Sequence, residues 1–163
     1  MRNHKDSQKE KNIISHIVAT INTFRESDKS AYSKLINEFT NDENNHILYA
    51  DYNKLDEFII AVRRANTIYL FSRAYSTIMY APKLLFHFVD DSHIHIDDVL
   101  NRHHSVGNGS ILMKALLEYA TSNQIQIISG DLSSVDDDHK LRRDSYYRKF
   151  GFKVSEKSII KRL

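Results

Sequence analysis

Four glycines and one proline in 163 residues leave this chain few points at which its backbone can turn sharply or come close to a ligand. Two of those glycines, Gly107 and Gly109, stand two positions apart, between a segment patterned as a strand and one patterned as a helix. Leu112, Leu116 and Ala120, flanked by Ile111, Ala115 and Tyr119, put the apolar face of that helix on residues 110–122, and Asn123 suits its end. A helix start presents backbone N–H groups and a partial positive charge, and glycine removes the Cβ that would hold an oxyanion away. The strand–glycine–helix junction therefore suits a phosphate or diphosphate. It is no Walker loop, since no Gly-Lys-Ser/Thr follows, and the third glycine of a dinucleotide fingerprint is missing.

The remaining patterning completes a mixed α/β chain. Residues 1–12 are polar and read as a frayed terminus. Ile13, Ile14, Ile17, Val18, Ile21 and Phe24 recur at helical spacing. Asp28 or Ser30 would cap a second helix carrying Tyr32, Leu35, Ile36 and Phe39. Residues 41–45 read as a break, 46–50 as a short strand, and YNKLDEFIIAVRRA as a third helix with Leu55, Phe58, Ile59 and Val62 on one side. From Thr67 onward the runs shorten and become aromatic and β-branched: 67–72, 77–80 and 84–89, with Pro82 in a turn or at a strand edge. Asp90 and Asp91 turn the chain into a strand over 92–100. Residues 125–129 read as a strand covered on both faces. A helix from Asp137 or Asp138 stops before Gly151, with Arg148 and Lys149 in its last turn, and 152–154 and 158–162 pair as closing strands. The expected organisation is one domain over 1–163, mainly helical over 13–65 and sheet-rich over 66–163.

Composition removes several classes of function. The chain has no cysteine, hence no thiolate metal site and no cysteine nucleophile. The 23 basic and 21 acidic residues nearly balance, so nucleic acid is not the expected partner. No apolar run reaches the ~20 residues of a membrane span. The start MRNHKDSQKEKN leads into no signal-peptide core, so a cytoplasmic location is expected. The charge is uneven, however. Residues 140–163 hold nine Lys or Arg against Asp144 and Glu156. Arg142, Arg143, Arg148 and Lys149 would either face a ligand phosphate or remain hydrated.

A second motif adds to the glycine loop. Residues 146–152 read YYRKFGF, with a tyrosine on the last helical turn before glycine and a strand. H-S-V-G-N-G opening one helix, followed some forty residues later by YYRKFGF, resembles the GNAT superfamily of acyl-CoA-dependent N-acyltransferases. That family's loop is Arg/Gln-x-x-Gly-x-Gly/Ala, and its later motif is commonly Phe-Tyr-x-x-x-Gly-Phe. His104 stands at the Arg/Gln position, Gly107 and Gly109 at the glycines, and Tyr147 at the motif tyrosine. The family's frequent asparagine before that tyrosine has no match; His139 and Lys140 occupy its neighbourhood. The resemblance covers residues 92–162.

The resemblance implies a GNAT-type α/β fold, a mixed and mostly antiparallel central sheet flanked by helices, with extra N-terminal helices. It also implies an N-acetyltransferase in which an amine attacks the thioester of acetyl-CoA directly, in a ternary complex and without a metal. Val99, Leu100 and Asn101 would pair with the pantetheine arm. His104, Ser105, Val106, Gly107, Asn108, Gly109 and Ser110 would surround the diphosphate, with His139 nearby. Tyr147 would be the general acid at sulfur. For the base, alternation puts His93, His95 and Asp97 on one strand face; His95 is the candidate, and a water chain is an equal alternative. His93, His95, His103 and His104 also suggest zinc, but the two pairs fall at opposite ends of a strand, and no metal is expected. The acceptor is a primary amine on a small molecule or a protein, and a homodimer contact through the N-terminal helices is one use for them. The competing class is a noncatalytic acyl-CoA-binding or regulatory module.

Overall fold

The computed structural model describes residues 4–101, 105–134 and 137–163. Among them lie four helices and eight strands in the order α1 (His4–Ile21), α2 (Glu26–Asn41), β1 (Asn45–Tyr52), β2 (Phe58–Arg64), β3 (Thr67–Phe71), β4 (Lys83–Asp90), β5 (His93–Leu100), α3 (Asn108–Ser122), β6 (Ile127–Asp131), α4 (Asp137–Lys149), β7 (Lys153–Val154) and β8 (Ser158–Arg162). The hydrogen-bonded strand order is β1-β2-β3-β4-β5-β6-β8-β7. Its β1–β2, β2–β3, β6–β8 and β7–β8 pairs are antiparallel and β5–β6 is parallel. This is the mixed, mostly antiparallel α/β architecture expected from the sequence. No described helix is long and apolar enough to cross a membrane.

The chain divides into two compact units: one runs to Leu84 and includes Val99–Tyr119, the other comprises Leu85–Asp98 and Ala120–Leu163. In the first, Ile17 and Ile21 of α1 and Tyr32, Leu35, Ile36 and Phe39 of α2 pack with Ile47, Phe58, Ile60, Val62 and Phe71. This covers one face of β2. The other carries the fully buried Ile59 and Ala61, and beyond them Arg63, whose guanidinium lies 4.8 Å from the Tyr119 ring of α3. A segment buried on both faces loses the alternation that marks a strand.

That is why the third helix expected over YNKLDEFIIAVRRA is instead β2, preceded by a turn in which Leu55 is exposed. The β-branched Ile59, Ile60 and Val62 favour the extended form once both faces are covered. The terminus is also corrected. Helix α1 runs from His4 through the stretch expected to fray, and tertiary partners hold it: Glu10 Oε1 accepts the Ile47 N–H at 3.0 Å, and Lys9 pairs with Glu118 at 2.8 Å. Helix α2 begins at Glu26 without a side-chain cap, so neither Asp28 nor Ser30 caps it; Asp28 lies in the first turn and pairs with Arg73. Residues 77–80 form a turn with Met79 and Tyr80 exposed, not a strand.

In the second unit the buried face of the sheet is made by Phe86, Ile94, Ile96, Ile128 and Ile159. Strand β6 alternates instead of being covered on both faces: Ile128 and Gly130 are buried, while Ile127 and Ser129 are only half-buried. A side chain at Gly130 would be crowded: a Cβ there would stand 3.1 Å from Ile159 Cδ1 and 3.3 Å from the Ile96 carbonyl.

Candidate active site

The glycine loop and its supports belong to the first unit. Strand β5 ends at Leu100 and α3 begins at Asn108. Gly107 lies at φ +94°, a region open to glycine at little cost, and its carbonyl accepts the Ile111 N–H at 3.2 Å to start the helix. Ser105 takes φ +68°.

The loop is held by the turn between β1 and β2. The Lys54 N–H donates to the Val106 carbonyl at 2.8 Å, and Asn53 Nδ2 donates to Asn108 Oδ1 at 3.2 Å. Asn53 also caps its own turn, its Oδ1 accepting the N–H groups of Leu55 and Glu57 at 2.9 and 3.1 Å. Asn53 and Asn108 are both buried. The contact uses the Asn108 carbonyl; its Nδ2 is buried and has no hydrogen-bond partner among the described residues. A polar Asn in a turn is ordinary, and nothing in its local pattern signalled this partner.

Val99, Leu100 and Asn101 end β5 as expected. The parallel pairing of β5 with β6 runs from His93↔Ile127 to Ile96↔Gly130, and β5 continues as a strand past the last residue paired with β6. Asn101 Oδ1 is buried and has no hydrogen-bond partner among the described residues. A buried carbonyl acceptor in that state suits an amide N–H donor, which the pantetheine arm of acetyl-CoA carries. The positive end of α3 and the positive-φ glycine suit its diphosphate. The described residues thus fit acetyl-CoA as a ligand. His104 lies outside the described residues.

The second unit holds the other candidates. Tyr147 sits on the last turn of α4, half-buried, with its ring edge-on to Tyr146 at 5.0 Å and Phe152 at 5.7 Å. Its carbonyl accepts the N–H groups of Phe150 and Phe152, and Gly151 at φ +80° makes that wrap possible. Burial pushes the Tyr147 phenol above its usual range, and the negative charge of Asp98 adds to this while Arg143 partly offsets it. The phenol keeps its proton well beyond neutral pH. Burial pushes the neighbouring Tyr146 phenol up as well. Arg143 is not a spare cation: it donates to Asp144 Oδ1 through Nε and Nη2 and to the Ser133 carbonyl at 2.7 Å. His139 is exposed on the first turn of α4.

The expected alternation of β5 holds through the residues paired with β6, so His93 and His95 share a face opposite Ile94 and Ile96, and Asp97 follows the last of them. His95 Nδ1 lies 2.9 Å from Ser129 Oγ and His93 Nε2 lies 2.7 Å from the same oxygen. His95 Nε2 is 3.6 Å from the exposed Asp131 carboxylate, and His87 Nδ1 is 2.7 Å from Asp97 Oδ1. Among the described residues no group of His, Asp or Glu is arranged to hold a metal ion. Ser129 and Asp131 were missed in the sequence, because only the parallel register brings them beside His95.

No protein-family model and no curated protein matches the chain. Solved structures to which its backbone is similar include nourseothricin acetyltransferase, at 10% identity over 73% of this chain and 84% of that one with a TM-score of 0.47. They also include an acetyltransferase from Streptococcus agalactiae, at 12% identity over 100% and 95% with a TM-score of 0.48. A third is Ard1 from Thermoplasma volcanium, at 14% identity over 99% and 94% with a TM-score of 0.44.

Proposed function

We propose that this protein transfers the acetyl group of acetyl-CoA to a primary amine by direct attack within a ternary complex. The observation that carries the reading is the junction from β5 to α3: a strand that outruns its parallel partner, a buried carbonyl at Asn101 with no partner among the described residues, and a positive-φ glycine opening a helix. In this reading Val99, Leu100 and Asn101 offer backbone and amide groups to the pantetheine. The amides of residues 105–110 take the diphosphate, and His104 and His139 are further contacts.

Acetyl-CoA supplies an activated thioester. The chain has to remove a proton from the attacking ammonium, stabilise the oxyanion and return a proton to the departing thiolate. Tyr147, protonated at neutral pH, is the proton donor to sulfur. His95 is the base that takes the ammonium proton.

The test is acetyl-CoA turnover against a panel of primary amines, with Tyr147→Phe beside the native chain. The variant is expected to lose roughly a hundredfold in kcat, at the lower end of what a general acid contributes, and to keep its affinity for acetyl-CoA. Thermal stabilisation by acetyl-CoA without turnover on any amine would replace this reading with the acyl-CoA-binding module.

A further inference from the structure

Two imidazole nitrogens converge on one hydroxyl in the second unit: His93 Nε2 at 2.7 Å and His95 Nδ1 at 2.9 Å from Ser129 Oγ. A hydroxyl has one proton to give, so between two neutral histidines it donates to one and accepts from the other. Either direction satisfies the three groups; the one in which Ser129 gives its proton to His93 Nε2 and takes the N–H of His95 Nδ1 is the one that leaves His95 a free lone pair, as a base requires.

That arrangement leaves the lone pair of His95 on Nε2. Asp131 Oδ2, at 3.6 Å, is too far to claim a hydrogen bond from that nitrogen. His87, whose ring centroid is 5.1 Å from that of His95, directs its own Nδ1 to Asp97. The β5–β6 register sets all this, pairing His95 with Ser129 across the parallel strands.

We propose that Ser129 is a positioning residue that fixes His95 in its Nδ1–H tautomer and links it to His93, so that the two imidazoles handle the amine proton as one unit. The inference rests on the acetyl-transfer reading above, with His95 as base. In the step, the ammonium N–H bond breaks and its proton bonds to His95 Nε2. The Nδ1 proton of His95 passes to Ser129 Oγ, and the hydroxyl proton passes to His93 Nε2. His93 becomes the imidazolium, His95 and Ser129 end neutral, and the amine is left with its lone pair. No oxidant, metal or further reactant enters.

Nitrogen-15 spectra of the full-length protein, labelled at histidine, report each ring's tautomer without any need for turnover. At a pH where the rings are neutral, the expected result is Nδ1–H for His95, with His93 Nε2 unprotonated and accepting. An Nε2–H tautomer at His95 overturns the proposal. In turnover, Ser129→Ala is expected to lower kcat about tenfold or more with the KM for acetyl-CoA unchanged, and Ser129→Thr, which keeps the hydroxyl, to restore most of it. Equal losses in both variants, or none in Ser129→Ala, also overturn it. If the native chain acetylates no amine, the transfer reading falls by itself, and the spectra still decide how Ser129 orders the two rings.

Discussion

Gly107 and Tyr32 show how single residues carry opposite kinds of constraint. At φ +94° Gly107 is confined by its backbone, since an added Cβ would meet only ordinary contacts, 3.4 Å from Lys54 Cγ and N. Gly107→Ala should therefore cost roughly 1–2 kcal/mol, from the left-handed conformation alone, and weaken acetyl-CoA binding as the loop relaxes. Urea denaturation and coenzyme titration of the variant measure the two effects. Tyr32 is confined by its surroundings. Its hydroxyl donates to the Phe58 carbonyl at 2.6 Å, and burial is the main reason its phenol is pushed up to about 12. The folded phenol holds its proton more tightly than the unfolded one, so its stabilising contribution is complete below about pH 10 and is lost as the pH rises towards 12. Tyr32→Phe should cost about 1–2 kcal/mol at neutral pH and flatten that alkaline fall, as read from melting temperature against pH.

Elements were legible where their partners were simple. Helix α3 was evident because Leu112, Leu116 and Ala120 repeat on one face, and that face is fully buried. Strand β5 was evident because one face is apolar and the other polar. Strand β2 was misread because helices cover one of its faces and α3 meets the other, which removes the alternation; burial from both sides is a property of the assembled layers. Strand β6 was misread in the reverse sense, its apolar letters suggesting burial on two faces where Ser129 marks a polar one. Gly130 is where β6 is most tightly packed. Gly130→Ala should destabilise the fold by roughly 1–3 kcal/mol, through its contacts with Ile159 and the Ile96 carbonyl. Chemical denaturation monitors this, and a neutral substitution would show that Ile159 can move aside.

For the whole molecule, a ligand that binds only the native state raises its stability by mass action. Acetyl-CoA at a hundred times its Kd should add ~2.7 kcal/mol, seen as a higher Tm that grows with coenzyme concentration. Gly107→Ala should blunt that shift while Tyr147→Phe leaves it intact, which separates binding from chemistry.

What the sequence determined by itself was local: the glycine junction before α3, the helix that stops before Gly151 with Tyr147 on its last turn, and the alternation that sets His93 and His95 on one face. Each follows from backbone freedom or side-chain period, which neighbouring residues specify. Tertiary structure decided whatever required distant segments to meet. The Asn53–Lys54 turn against Val106 and Asn108, Ser129 between two histidines, and the burial of β2 on both sides all depend on strand register and layer packing. No local pattern encodes those, because they come into being only when the chain closes on itself.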